Sequence, residues 1–185
     1  MDFASGTGRI AKFLENKITD QSLLDASEKM LEYSKTILDI NKTTFIHKDF
    51  TKINLNKKFD LITAFRFFPN AEPFLRKNAM SFISNHLSDN GILVLNNHLN
   101  FWSIPFLLQR LTFRSNGFGV THKEIQKLVE NNNLKIYQYK SIGLITSKEK
   151  SVILPWRIIS KLENFLFKIY SNHLLGYNVV YLIGK

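Results

Sequence analysis

Near the amino terminus, Asp2-Phe3-Ala4-Ser5-Gly6-Thr7-Gly8-Arg9 runs from the end of a strand straight into a helix. Glycine is needed in such a turn because a Cβ would block backbone approach to a ligand, and the helix start offers N–H groups with no partner of their own. The spacing therefore predicts a cofactor turn. Asp25 follows Gly6 by 19 residues, at the end of the second predicted strand, where its carboxylate is placed to accept from two ribose hydroxyls. Asp49 stands in the same relation to the third strand. It is placed to accept from an exocyclic adenine amine, with Phe50 against the base.

Elements that could position these groups alternate along the chain. Arg9 to Lys17 reads as a helix with Ile10, Phe13 and Leu14 on one face, and Gln21 to Ala26 as a strand. Ser27 caps a second helix whose buried stripe is Met30, Leu31, Ile37 and Leu38. Thr44 to Asp49 is a third strand, and Phe59 to Phe65 (FDLITAF) a fourth, apolar enough to lie buried on both faces. A helix from about Glu72 to Leu87, the turn SDNG and a strand from Ile92 to His98 follow. Thr121 opens a helix with Glu124 completing a capping box. Strands at Lys135 to Ile145 and Asn178 to Ile183 close the set. Alternation of this kind predicts an α/β sheet.

Composition narrows the chemistry. In 185 residues, 44% are hydrophobic and 22% charged, the usage of one folded domain rather than a disordered chain. There is no cysteine, which removes disulfides, iron–sulfur clusters and thiol nucleophiles, and no His, Asp or Glu cluster has metal-ligand spacing. The net charge is +10 with 19 lysines against 6 arginines. The lysines are scattered, the pair Lys57-Lys58 being the nearest thing to a run, which is the pattern of a biased composition more than of a nucleic-acid surface. No stretch reaches the ~18 apolar residues of a membrane span, and MDFASGTGRIAKF lacks the form of a signal peptide. A cytoplasmic location is expected.

Two nucleotide readings compete. Gly6-Thr7-Gly8-Arg9-Ile10-Ala11 satisfies the dinucleotide pattern, so an NAD-dependent oxidoreductase has to be weighed. Against it, Asp2 occupies a position that the dinucleotide fold fills with an apolar residue, and there is no room for a substrate domain. Taken together, DFASGTGR, LDASEKMLEYSK, HKDF, FDLITAFRFF and SDNGILVLNNH resemble, in order and spacing, the motifs of the class I S-adenosylmethionine-dependent methyltransferases. The resemblance covers roughly residues 1 to 145. It implies a Rossmann-like doubly wound sheet, mostly parallel with the last strand antiparallel, as a single domain over residues 1–185 with a helical insertion at about 150–175. It further implies S-adenosylmethionine as cofactor. Asp2, Ala4, Gly6 and Gly8 would line its methionine part, Asp25 would hold the ribose, and Asp49 and Phe50 would meet the adenine. Phe65 and Arg66 would lie near the sulfonium and the substrate entrance.

The chain departs from that pattern twice. Ala4 replaces the first glycine of the turn, and only Met1 precedes Asp2 where the family has an apolar first strand. A largely missing central strand predicts neighbours with unsatisfied backbone groups and a truncated chain, so a non-catalytic remnant stands as an alternative reading. Methyl transfer requires alignment and water exclusion more than a fixed triad. His98 is the weak candidate for a general base, and Arg66 the candidate to bind an acidic acceptor. The acceptor class is a small molecule, a glycan or a lipid-linked compound; FRFF in place of an NPPY-type tetrapeptide argues against nucleic acid. The apolar segment from Phe101 to Phe113, bent at Pro105, reads as a lid or as core packing. The helix from Trp156 to Tyr170 reads as core packing or as a peripheral membrane contact through Arg157, Lys161 and Lys168. The sequence is silent on oligomeric state.

Overall fold

The computed structural model describes residues 1–111, 119–143, 157–158, 160–161, 164–165 and 176–185. Seven strands form one sheet: β1 (Asp2–Phe3), β2 (Gln21–Asp25), β3 (Thr43–His47), β4 (Phe59–Ala64), β5 (Leu87–Asn97), β6 (Lys135–Ile142) and β7 (Asn178–Gly184), in the order β3-β2-β1-β4-β5-β7-β6. The pairings from β3 across to β5 are parallel, and β7 lies antiparallel between β5 and β6. An antiparallel strand inserted there separates this sheet from the all-parallel dinucleotide-binding order.

The helices among the described residues include α1 (Arg9–Leu14), α2 (Glu28–Ile37), α3 (Pro73–His86), α4 (Ile104–Leu111) and α5 (His122–Glu130). Ala11, Leu31 and Leu38 bury against Leu23 on one face, while α3 and α5 cover the other through Ala79, Met80, Ile83, Ile125 and Val129. α5 has the expected capping box, with Thr121 and Glu124 each bonding the other's backbone. The expected insertion and the helix from Trp156 to Tyr170 fall largely outside the described residues, as do Thr112, Phe113, Leu144, Ile145 and His173.

Several local expectations are corrected. α1 stops at Leu14, and Phe13 is 68% exposed beneath the Lys17 ammonium; the buried residue of this helix is Ala11. Ser27 stands at the start of α2 without a capping hydroxyl, because its own N–H is tied to the Asp25 carboxylate at 2.8 Å. Met30 is 42% exposed rather than part of the buried stripe. β5 begins at Leu87, so Ser88-Asp89-Asn90 belong to the strand, with an irregular register against β4 between Phe59 and Leu61. Pro105 does not bend a helix; it is the second residue of α4, where its missing N–H would be unpaired in any case.

The first strand has two residues, yet it pairs on both sides. Asp2 lies opposite Leu23 on β2 and Thr63 on β4, and the Met1 carbonyl accepts from the Thr63 N–H at 2.9 Å. The Phe3 ring anchors it at 5.1 Å from both Phe50 and Phe67 and 5.9 Å from Phe82. Burial of one such ring stabilises by about 3 kcal/mol. Ahead of Met1, β2 and β4 become the walls of a groove of about 380 Å³ lined by Gln21, Ser22, Phe59 and Leu61. The Gln21 side-chain oxygen is buried there without a partner.

Candidate active site

At the carboxyl end of β1 the backbone turns through left-handed conformations at Ala4 (φ 52°), Gly6 (φ 55°) and Gly8 (φ 72°). The three positions serve different ends. A Cβ at Gly6 would meet no atom within 4 Å, so this residue faces open space. A Cβ at Gly8 would press on Ser34 Oγ at 3.1 Å and Leu38 Cδ1 at 3.2 Å, so this glycine lets α1 approach α2. Ala4 carries its methyl in a conformation that glycine adopts more cheaply.

The open space at Gly6 is a cleft of about 690 Å³, within the ~300–1,000 Å³ of small-molecule sites. Its floor is the turn Ala4 to Thr7, and Met30 and Arg9 stand at one side. The opposite wall is the chain after β4: Phe65, Arg66, Phe67, Asn70, Ala71 and Leu75. Buried Arg76 builds that wall. Its Nε donates to the Phe68 and Ala71 carbonyls at 2.8 and 2.9 Å, and its guanidinium reaches the Gly119 carbonyl at 3.2 Å and Glu124 at 3.5 Å. One side chain thus ties the cleft wall to α5.

Arg66 is a non-glycine residue at φ 63°, a conformation that costs about 1 kcal/mol. Two side chains hold it there. Asn96 at the end of β5 accepts the Arg66 N–H at 2.7 Å, and Asn70 donates to its carbonyl at 2.6 Å. No hydrogen bond or ion pair ties down the exposed guanidinium among the described residues, and it is close enough to act on His98. Burial first, and then that positive charge, pull His98 down from 6.5 to about 4. Its imidazole is therefore neutral at pH 7, and its Nδ1 is buried without a partner.

The remaining sequence-predicted residues, His98 among them, do not line the cleft. Asp25 accepts from the Gly6 N–H at 2.7 Å and the Ser27 N–H at 2.8 Å, which shapes the turn and leaves each oxygen a further lone pair. Asp49 caps the short 3-10 turn Phe50–Lys52 by accepting from Thr51 N at 3.0 Å, which lowers its pKa. The Phe50 ring packs edge-on against Phe3 and Phe67. Asp2 lies on the groove side of β1, its Oδ1 accepting from the Thr63 hydroxyl at 2.7 Å. Its Oδ2 has no partner, and burial raises it from 3.8 to about 6. Phe65 and Arg66 do line the cleft, together with Met30, Phe67, Asn70 and Leu75, which sequence reasoning passed over. Met30 sat in an apolar helix stripe and looked like core; the others follow a strand with no motif to mark them.

Residues 1–91 match the family described as methyltransferase domain. Over these residues the chain is similar to that family. Solved structures agree on the fold across the whole chain. A S-adenosylmethionine-dependent methyltransferase from Clostridium acetobutylicum superposes with a TM-score of 0.67 at 16% identity, covering 99% of this chain and 82% of that one. The corresponding figures for one from Mesorhizobium loti are 0.66, 15%, 100% and 89%. For magnesium protoporphyrin IX methyltransferase from Synechocystis with bound SAH they are 0.66, 14%, 98% and 71%. Comparison with curated proteins finds no match. In this chain the cleft lies at the carboxyl ends of β1 and β4, between the glycine turn and the Arg76-bound wall.

Proposed function

We propose that this methyltransferase uses S-adenosylmethionine to methylate an oxygen or nitrogen of a small-molecule, glycan or lipid-linked acceptor. The observation that carries the reading is the Gly6 turn, whose left-handed backbone faces an open cleft where any side chain would intrude. The cofactor would be held by residues 4–7, Met30 and the free lone pairs of Asp25, and it supplies a methyl carbon bound to a positively charged sulfur. For a displacement at that carbon the protein's own task would be to align the acceptor and keep water out. Phe65 and Phe67 supply apolar wall at the reacting end. Arg66 offers an unpaired cation to an acidic group on the acceptor. His98 does not line the cleft, but it is near enough to feel the Arg66 charge, is neutral, and has one ring nitrogen without a partner among the described residues; it would be the group to take the acceptor's proton.

Thermal unfolding with S-adenosylhomocysteine and, separately, with NAD tests the reading, because a ligand that binds only the folded state raises its apparent stability. The expected result is a rise with S-adenosylhomocysteine alone, lost in Gly6→Val. A rise with NAD alone would refute it, and no rise with either would favour the non-catalytic alternative.

A further inference from the structure

The positive charge is unevenly placed. Residues 91–185 hold 12 of the 25 Lys and Arg but only 4 of the 15 Asp and Glu, so this half carries +8 of the net +10. From Asn90 to Lys123 there is no acidic residue at all. In the middle of that stretch lies α4. Phe106 faces inward and is fully buried, pinning the helix to the fold. The outer side is apolar with a cation set in it. Leu107, Arg110 and Leu111 stand at i, i+3 and i+4, hence on one face, and Leu111 is 75% exposed. Trp102, 59% exposed, precedes the helix, and the Arg110 guanidinium lies 4.9 Å from the Phe101 ring centre.

We infer that this face of α4 docks on an anionic lipid bilayer. Leucine and tryptophan side chains pointing outward beside an arginine are the composition that rests at the headgroup and acyl boundary, and the basic half of the chain supplies the long-range attraction. The apolar side chains favour a lipid surface over a phosphodiester backbone, which would be met by cations and by base-stacking rings rather than by leucines. α4 follows His98 closely and leaves the same end of β5 that holds Arg66 through Asn96. Docking would therefore bring the cleft's own edge of the sheet to the membrane. Binding is independent of cofactor and acceptor, so it stands whether or not the methyl-transfer reading does.

Flotation of the whole chain with vesicles tests this, comparing phosphatidylcholine alone with phosphatidylcholine plus phosphatidylserine at low and high salt. The expected result is capture by the anionic vesicles at low salt and release at high salt. Leu107→Ser with Leu111→Ser should weaken binding at least tenfold without lowering the melting temperature. Phe74→Ser, at an exposed ring on α3, should leave binding unchanged. With Trp156→Phe leaving Trp102 as the sole tryptophan, emission should shift to the blue on adding anionic vesicles. Absence of flotation at low salt overturns the inference. So does equal loss in Phe74→Ser, or a double Leu variant that binds vesicles like its parent while changing the sedimentation of a self-associated chain.

Discussion

Asp2→Asn should change how stability depends on pH, by an amount the structure fixes. Burial raises the Asp2 carboxyl from 3.8 to about 6, even with Thr63 donating to one oxygen and the Met1 ammonium beside it. Between those two values the folded chain holds a proton that the unfolded chain has released, so stability is greatest below 3.8 and falls as pH rises towards 6. A shift of this size corresponds to about 3 kcal/mol between about pH 3 and about pH 7. Asparagine mimics the protonated acid: its oxygen still accepts from Thr63, and it does not titrate. His98 slopes the other way in the same interval, because its lowered folded pKa makes the unfolded chain protonate first as pH falls. The Met1 amine, lowered by burial from 8.0 to about 6, adds its own slope only above that. His98 is the same in both proteins and cancels in the difference, whereas the Met1 amine is raised by the Asp2 carboxylate and adds a smaller difference where it titrates, so the comparison is read on the acid side of that. Urea unfolding of the two proteins across the interval should therefore show the parent losing about 3 kcal/mol relative to Asp2→Asn as pH rises. A constant difference would mean that water or a relaxed backbone solvates the Asp2 carboxylate, and the reasoning from burial would fail.

Gly8→Val should destabilise by about 2 kcal/mol or more, since φ 72° is strained for any side chain and the new Cβ meets Ser34 and Leu38; urea midpoints check it. His98→Gln should lower kcat on a hydroxyl or amine acceptor by about 10²-fold or more while the thermal shift with S-adenosylhomocysteine stays as it is, and unchanged turnover would remove His98 from the mechanism. Met30→Ala should weaken S-adenosylhomocysteine binding by about tenfold, through lost apolar contact in the cleft, at little cost in stability because the side chain is largely exposed. Isothermal titration reads the affinity and urea unfolding the stability.

The sheet was legible because each strand announces itself locally. FDLITAF contains the central strand β4 with Phe59, Ile62, Thr63 and Ala64 buried, though Asp60 is exposed, and Thr121 with Glu124 marks a helix start by chemistry that four residues contain. What was not legible depends on partners far away in the chain. Phe13 continues the apolar periodicity of α1, yet it is largely exposed with Lys17 over its ring. Met30 has the same hydrophobicity as Leu31 one position on, and only the arrangement of α2 against the glycine turn decides that one lines a cleft and the other a core. The wall after β4 takes its shape from Arg76 through bonds to Gly119 and Glu124, more than 40 residues further along. No local pattern in FRFFPNAE encodes those bonds.

That distribution also divides the site. The glycine turn is shaped by Asp25, Ser34 and the strands on either side of β1, all within the first 91 residues that match the family. The cleft wall opposite that turn is held from the other half: Asn96 fixes the Arg66 backbone and itself donates to Asn178 on β7, while Glu124 and Gly119 hold Arg76. A change in β7 or α5 can therefore move that wall without touching the turn that would bind the cofactor. It follows that affinity for S-adenosylhomocysteine and selectivity for the acceptor should vary independently in variants of Asn178 and Glu124, which act on a cleft lined by residues 4–75 from outside it.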